Sequence, residues 1–160
     1  MILVVGDLIL DNFSINNIER KSPEANVPVI KNLKLISKLG GAGNVINNIN
    51  KIDKSCFLIS RVGNNENDKI IKKLLKNNDI KNKLFYEKKF KIGKKIRFFI
   101  NNSQKFRLDE EIISQIQKKT ENDIIKFVKK NLNKYSLLIV SDYKKGLKTR
   151  KLFKKLSKLF

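Results

Sequence analysis

The sequence has no histidine and one cysteine, Cys56. Without histidine, the Ser-His and Cys-His catalytic arrangements and histidine-ligated metals fall away. A lone cysteine allows no internal disulfide and no multi-cysteine zinc site. No apolar run is long enough to cross a bilayer. Met1 leads into "ILVVG" with neither a basic start nor a small-residue cleavage site, so no signal peptide is expected. These absences point to a cytoplasmic protein. Acid is also scarce: 15 Asp and Glu stand against 36 Lys and Arg, a net charge of +21. Such an excess can mark a nucleic-acid or anionic-surface binder. Here, however, the arginines are few (Arg20, Arg61, Arg97, Arg107 and Arg150), and the lysines run along most of the chain with a modest cluster in "KTRKLFKKLSK". That spread fits the lysine, asparagine and isoleucine bias of A/T-rich genomes better than a dedicated face, so neither a nucleic-acid nor a membrane partner is expected.

What is present suffices for one ordinary domain with a core: 160 residues, 41% of them hydrophobic. "MILVVGDLIL" reads as a buried parallel strand ending at Gly6-Asp7. "CFLISRVG" and "YSLLIVSDYKKG" read as two more. Between them, "VINNINKI" has helical spacing, and "NENDKIIKKLLKNNDI" is an amphipathic helix capped by Asn65 or Asn67. A polar helix is expected over roughly 110–132, and a basic helix at the end. Segments 13–35 and 84–108 alternate apolar and polar residues and read as a small separate flap, with a turn at Asn101-Asn102. The pattern predicts an α/β fold with a doubly wound, mainly parallel sheet. There is no internal repeat and no linker.

The segment "LISKLGGAGNVINNINKI" sets Gly40, Gly41 and Gly43 before Asn44 and a helical run. Glycines at a loop-to-helix junction let a ligand approach the backbone, or simply make a tight turn. Three spacings combine around this segment: Gly6-Asp7 with Asp11, then "SPEANVPVIK", then "GGAGN". In that order and spacing the chain resembles the ribokinase-like, or phosphofructokinase-B type, carbohydrate kinases. "VVGDLILD", "VGNNEND", "KKIRFF", "QKFRLDEE" and "VSDYKKG" extend the likeness over residues 2 to about 150. Taken together, the motifs look like the D-glycero-β-D-manno-heptose-7-phosphate kinase domain of a bacterial bifunctional heptose protein.

The resemblance implies a ribokinase-like fold with a β-lid formed by the two alternating segments. It implies that Asp11 and Asn44 hold sugar hydroxyls, that Gly40, Gly41 and Gly43 let the sugar sit against the main chain, and that Lys95, Arg97 and Arg107 in the second lid segment face the distal phosphate. Asp142 and Lys145 lie in the loop near the active site. A carboxylate accepts two hydroxyl hydrogens, an amide both donates and accepts, and arginine meets phosphate bidentately. Asn44 can equally be a helix N-cap, Lys95 and Arg97 a solvated lid face, and Asp7 structural or cation-related. The family's reaction is transfer of the ATP γ-phosphoryl, with Mg²⁺, to the anomeric hydroxyl, giving the 1,7-bisphosphate in ADP-heptose and lipopolysaccharide precursor biosynthesis. The lid often mediates dimer contacts, so a homodimer is a further expectation.

The chain departs from the family at Ile46, Asn50, Asp53 and Asn101, where a small residue, an alanine, a glycine and a basic residue are usual. The family also places its catalytic aspartate in a GAGD motif and its magnesium-placing NxxE motif further along, and neither occurs here after Gly146. The resemblance is therefore to the N-terminal half of the kinase domain. No catalytic base is expected among these residues, and the chain alone is not expected to phosphorylate sugar at a normal rate. A fragment, an eroded gene product and a chain completed by a second polypeptide all fit. An inactive sugar-phosphate-binding or oligomerisation remnant is the alternative reading.

Overall fold

The computed structural model describes all 160 residues, apart from the side chains of Asn32 and Leu33. Two four-stranded sheets carry the chain. The first has the order β5-β4-β1-β8, built from β1 (Ile2–Gly6), β4 (Cys56–Val62), β5 (Asn82–Tyr86) and β8 (Leu137–Ser141), all parallel. The two inner strands, β1 and β4, are almost wholly buried because both faces are covered, while the edge strands β5 and β8 stay partly exposed. Val4, Leu58 and Val62 pack with Ile46 of α1 (Ala42–Ile52) and with Ile71 and Leu75 of α2 (Glu66–Asn77). Leu3, Val5 and Ile59 pack with Ile124 and Val128 of α3 (Lys118–Lys130) and with Leu152 and Leu156 of α4 (Arg150–Ser157). Helices on both faces of a parallel sheet make the doubly wound layer that the sequence predicts. Cys56 lies in the first core cluster, and burial pushes its thiol pKa up.

The second sheet, of order β3-β2-β6-β7, comprises β2 (Leu8–Lys21), β3 (Pro28–Gly41), β6 (Gly93–Ile100) and β7 (Ser103–Glu110). Two antiparallel hairpins, β2-β3 and β6-β7, join through a parallel β2-β6 pairing. The β6-β7 turn is Asn101-Asn102, both at positive φ, as a twisted two-residue hairpin requires. Asn65 caps α2: its side chain accepts from the Asp68 N–H, and Asp68 in return accepts from the Asn65 N–H.

Two expectations need correction. The flap segment placed at 84–108 overlaps the end of β5, Leu84–Tyr86, which instead pairs in parallel with β4 at the edge of the first sheet. Its place follows from tertiary pairing that a five-residue strand does not announce. The helix expected from 110 begins at Lys118. Residues 111–117 are not helical, because their backbone polar groups are held elsewhere. The carbonyl of Ser114 accepts from Arg61, Ile116 N–H donates to the Gly146 carbonyl at 2.9 Å, and Gln117 N–H donates to Glu87 at 2.9 Å.

Candidate functional site

The chain turns from β3 into α1 at Gly40 and Gly41, and each glycine is needed for a different reason. At Gly41, φ is +60°, and a side chain there would strike the Asp7 carbonyl. Ala42 N–H donates to that same carbonyl at 2.8 Å, which fixes the start of α1. At Gly40 a Cβ would lie 2.5 Å from Asp11 Oδ2, so the absent side chain makes room for the Asp11 carboxylate. Gly43 serves packing: it is buried, and its open side faces Leu8 and Leu39.

Register across the second sheet aligns the charged residues in rows. Lys38, Asp11, Lys95 and Asp109 follow one another from β3 to β7, an alternation of charge. The next row is Ile36, Phe13, Arg97 and Arg107. Ion pairs tie the rows together. Arg97 Nη1 meets Asp11 Oδ1 at 2.8 Å, and the guanidinium lies 5.2 Å from the Phe13 ring centroid. Arg107 Nε meets Asp109 Oδ1 at 2.7 Å. Lys95 Nζ stands 3.4 Å from Asp109 and 3.3 Å from Glu111. Lys145 Nζ meets Glu111 at 2.8 Å, joining the network to the loop after β8. Desolvation pushes the Asp109 carboxyl up, but Arg107 and Lys95 outweigh it and hold the group below its usual range. Glu111 is held down by Lys145 first and by Lys95 next.

The loop after β8 is fixed by Asp7. This buried carboxylate accepts backbone N–H bonds from Tyr143, Lys145 and Leu147 at 3.1–3.2 Å, a structural role. Asp142 points elsewhere. Its carboxylate accepts from Lys144 N–H at 2.9 Å and pairs with Lys148 at 3.0 Å. Desolvation raises its pKa, and Lys144 and Lys148 more than reverse that.

Asn44 is exposed on the first turn of α1, whose N-cap is Gly41 and uses no side chain, so Asn44 is not the cap. It lines a groove between β3 and the helices with Lys38, Asn47, Lys51, Leu74 and Asn78. Asp11 does not line that groove. The link between them is Lys38, which stands opposite Asp11 in register and also lines a second hollow with Phe13, Ile15 and Phe99. The structure thus brings together Asp11, Gly40, Lys95, Arg97, Arg107 and Lys145, sets Asn44 in an adjoining groove, and leaves Asp142 in a separate pair. Sequence reasoning missed Lys38, Asp109 and Glu111. Their signal is cross-strand register, which single-residue patterns do not carry.

This face suits a hydroxylated, anionic ligand. It does not suit Mg²⁺ with ATP. Asp11, Asp109 and Glu111 are each engaged by cations, and among the described residues no group of three candidate metal ligands converges. The Gly40–Gly41 cradle presents the Asp11 carboxylate and the Asp7 carbonyl, both of which repel phosphate.

Solved structures of the same architecture are sugar kinases. Phosphofructokinase-2 from Escherichia coli, in complex with substrates and products, superposes with a TM-score of 0.68 over 99% of this chain and 50% of its own, at 16% identity. A microbiome-derived acarbose kinase superposes at 0.61 over 87% of this chain and 44% of its own, at 14% identity. The chain has the ribokinase-like fold. Sequence relatives of the chain are bifunctional HldE proteins. That of Aliarcobacter butzleri is 40% identical over 152 residues, 94% of this chain and 32% of the relative. That of Campylobacter jejuni subsp. jejuni serotype O:2 is 35% identical over 153 residues, 96% of this chain and 32% of its own length. The chain spans about a third of the length of these curated relatives. No family model matches it.

Proposed function

We propose that residues 1–160 form the N-terminal, sugar-holding portion of a ribokinase-like kinase domain whose acceptor is D-glycero-β-D-manno-heptose 7-phosphate. The observation that carries this reading is the Asp11 carboxylate, aimed over the bare Gly40 backbone and braced by Arg97. Asp11 accepts sugar hydroxyls, the Gly40–Gly43 turn lets the ring approach the main chain, and Asn44 completes the grip from the adjoining groove. Lys38, Lys95, Arg97, Arg107 and Lys145 outnumber Asp11, Asp109 and Glu111 across this face, and the excess gives a positive field for the phosphate. The reaction of the assembled kinase is γ-phosphoryl transfer from ATP to the anomeric hydroxyl, and its donor side belongs to residues outside this set. We place the protein in the cytoplasm, in ADP-heptose formation for lipopolysaccharide.

The committed state of the carboxylates favours a second reading for the chain alone: it binds sugar phosphate without turning it over. The opposite face of the second sheet sets Leu35, Phe98 and Phe106 in one row, with Leu35 and Phe106 about half exposed. That row supports pairing with a second copy through the lid, which sedimentation tests. Calorimetry with heptose 7-phosphate tests the main reading. Saturable binding that Asp11→Ala and Asn44→Ala each weaken is expected. Absence of saturable binding by the wild type would sink it, and turnover with ATP at an ordinary kinase rate would sink the second.

A further inference from the structure

We propose that Lys38, supported by Lys51 and the amides of Asn44 and Asn47, is the direct contact for the phosphate monoester of the sugar and sets the preference for a phosphorylated substrate. The inference rests on the sugar-phosphate reading above and deepens it.

The first argument is ion-pair accounting. The four basic residues of β6, β7 and the loop after β8 that join the network around Asp11, Asp109 and Glu111 are all engaged. Arg97 is held by Asp11, Arg107 by Asp109, Lys95 by Asp109 and Glu111, and Lys145 by Glu111. A phosphate reaching any of them must displace a carboxylate or accept its repulsion. Arg97 is the least free, because its release would also unbrace the carboxylate that reads the hydroxyls.

Lys38 is differently placed. It ends the Lys38–Asp11–Lys95–Asp109 row on β3, the edge strand of the sheet. Among the described residues no carboxylate lies within ion-pair distance of Lys38 or of Lys51, whereas the row's other charges are all paired. The Lys38 ammonium rests 5.1 Å from the Phe13 ring centroid, a contact that holds the stem without neutralising the charge. It lines both concavities of this face, the hollow with Phe13 and Phe99 and the groove with Asn44, Asn47 and Lys51. A ligand bridging Asp11 and Asn44 passes Lys38. A dianion there meets two unpaired ammonium groups and two amide donors, and no existing pair has to break.

The experiment compares heptose 7-phosphate with the unphosphorylated heptose by calorimetry and by NMR shift titration, on the wild type, Lys38→Met, Lys38→Arg, Lys51→Met and Arg97→Met. Lys38 and Lys51 are exposed, so these variants leave the core intact. The wild type is expected to prefer the phosphorylated sugar, and Lys38→Met to lose on the order of tenfold to a hundredfold in affinity for it. Affinity for the unphosphorylated sugar stays unchanged, Lys38→Arg restores the preference, and Lys51→Met costs less than Lys38→Met. Arg97→Met weakens both sugars alike, because it acts through Asp11. A preference that survives Lys38→Met, or that Arg97→Met alone abolishes, overturns the subsite and leaves the sugar-phosphate reading standing. Failure of the wild type to bind either sugar overturns both.

Discussion

Asp7 and Leu147 lie 140 positions apart and are joined by a hydrogen bond of 3.1 Å, from the Leu147 N–H to Asp7 Oδ1. The other carboxylate oxygen takes the N–H groups of Tyr143 and Lys145. One side chain at the end of the first strand therefore shapes the loop at the end of the last. Asp7→Ala leaves three backbone donors without this acceptor and is expected to destabilise the fold by about 2–4 kcal/mol. Asp7→Asn keeps one acceptor oxygen and should cost roughly half as much. Urea unfolding gives the totals. Amide exchange of Tyr143, Lys145 and Leu147 gives the cause, since these three should lose protection before the rest of the sheet does.

Arg61 and Glu87 form the one ion pair with both partners almost fully buried among the described residues, at 2.9 Å and with exposures of 1% and 3%. The guanidinium also reaches the carbonyls of Ser114 and Lys145 and lies 4.0 Å from the Phe90 ring centroid. Desolvation lowers the Arg61 pKa, and Glu87 opposes that. Removing one partner strands a buried charge, so Arg61→Met and Glu87→Leu should each cost about 3–5 kcal/mol. The double variant should cost clearly less than their sum. Strict additivity in a double-mutant cycle would show that the two residues act separately.

Glu111 joins the lid to the loop after β8 by binding both Lys95 and Lys145. These lysines hold its folded-state pKa below the unfolded value, so the unfolded chain takes up the proton more readily. The stabilisation is therefore complete above the ordinary glutamate value of about 4.3 and is lost as pH falls through the lower folded value. Wild type should exceed Glu111→Gln in urea midpoint by a constant margin from neutrality down to about pH 5, and the margin should close below about pH 4. A margin independent of pH would mean that the carboxylate charge contributes nothing.

How much of this was readable in the chain depends on where the cause lies. β1 and β4 are apolar runs because both their faces are buried, β8 is an apolar run at the sheet edge, and such runs stand out. "NKLFY" does not, since its partners in β4 are more than twenty positions away and its neighbours alternate like a lid. "EIISQIQ" was expected to open a helix, but Arg61, Glu87 and Gly146 hold it out of the helix from outside. Asp11 and Gly40 were legible only through the resemblance, which rests on the order of the motifs along the chain. Lys38 was not, because one lysine among so many carries no signal until the register sets it beside Asp11. Asp109 and Glu111 were hidden for the same reason, their roles depending on how Asn101-Asn102 turns β6 onto β7.

Lys144 carries the last consequence of that loop. Its φ is +58°, a left-handed conformation that costs an ordinary side chain about 1–2 kcal/mol. The loop accepts this because Asp142 Oδ1 takes the Lys144 N–H at 2.9 Å, while Asp7 takes the N–H groups on either side, those of Tyr143 and Lys145. Glycine adopts the conformation freely, though it gives back part of the gain through a more flexible unfolded chain. Lys144→Gly should therefore stabilise by about 0.5–1 kcal/mol, while the β-branched Lys144→Val should destabilise by about 1–2 kcal/mol. Neither change touches the ammonium of Lys145, so its pairing with Glu111 and the acid response described above should persist in both. Thermal unfolding that ranks valine above lysine would mean that this turn is not left-handed in solution, and with it the placement of Lys145 beside the lid would fail.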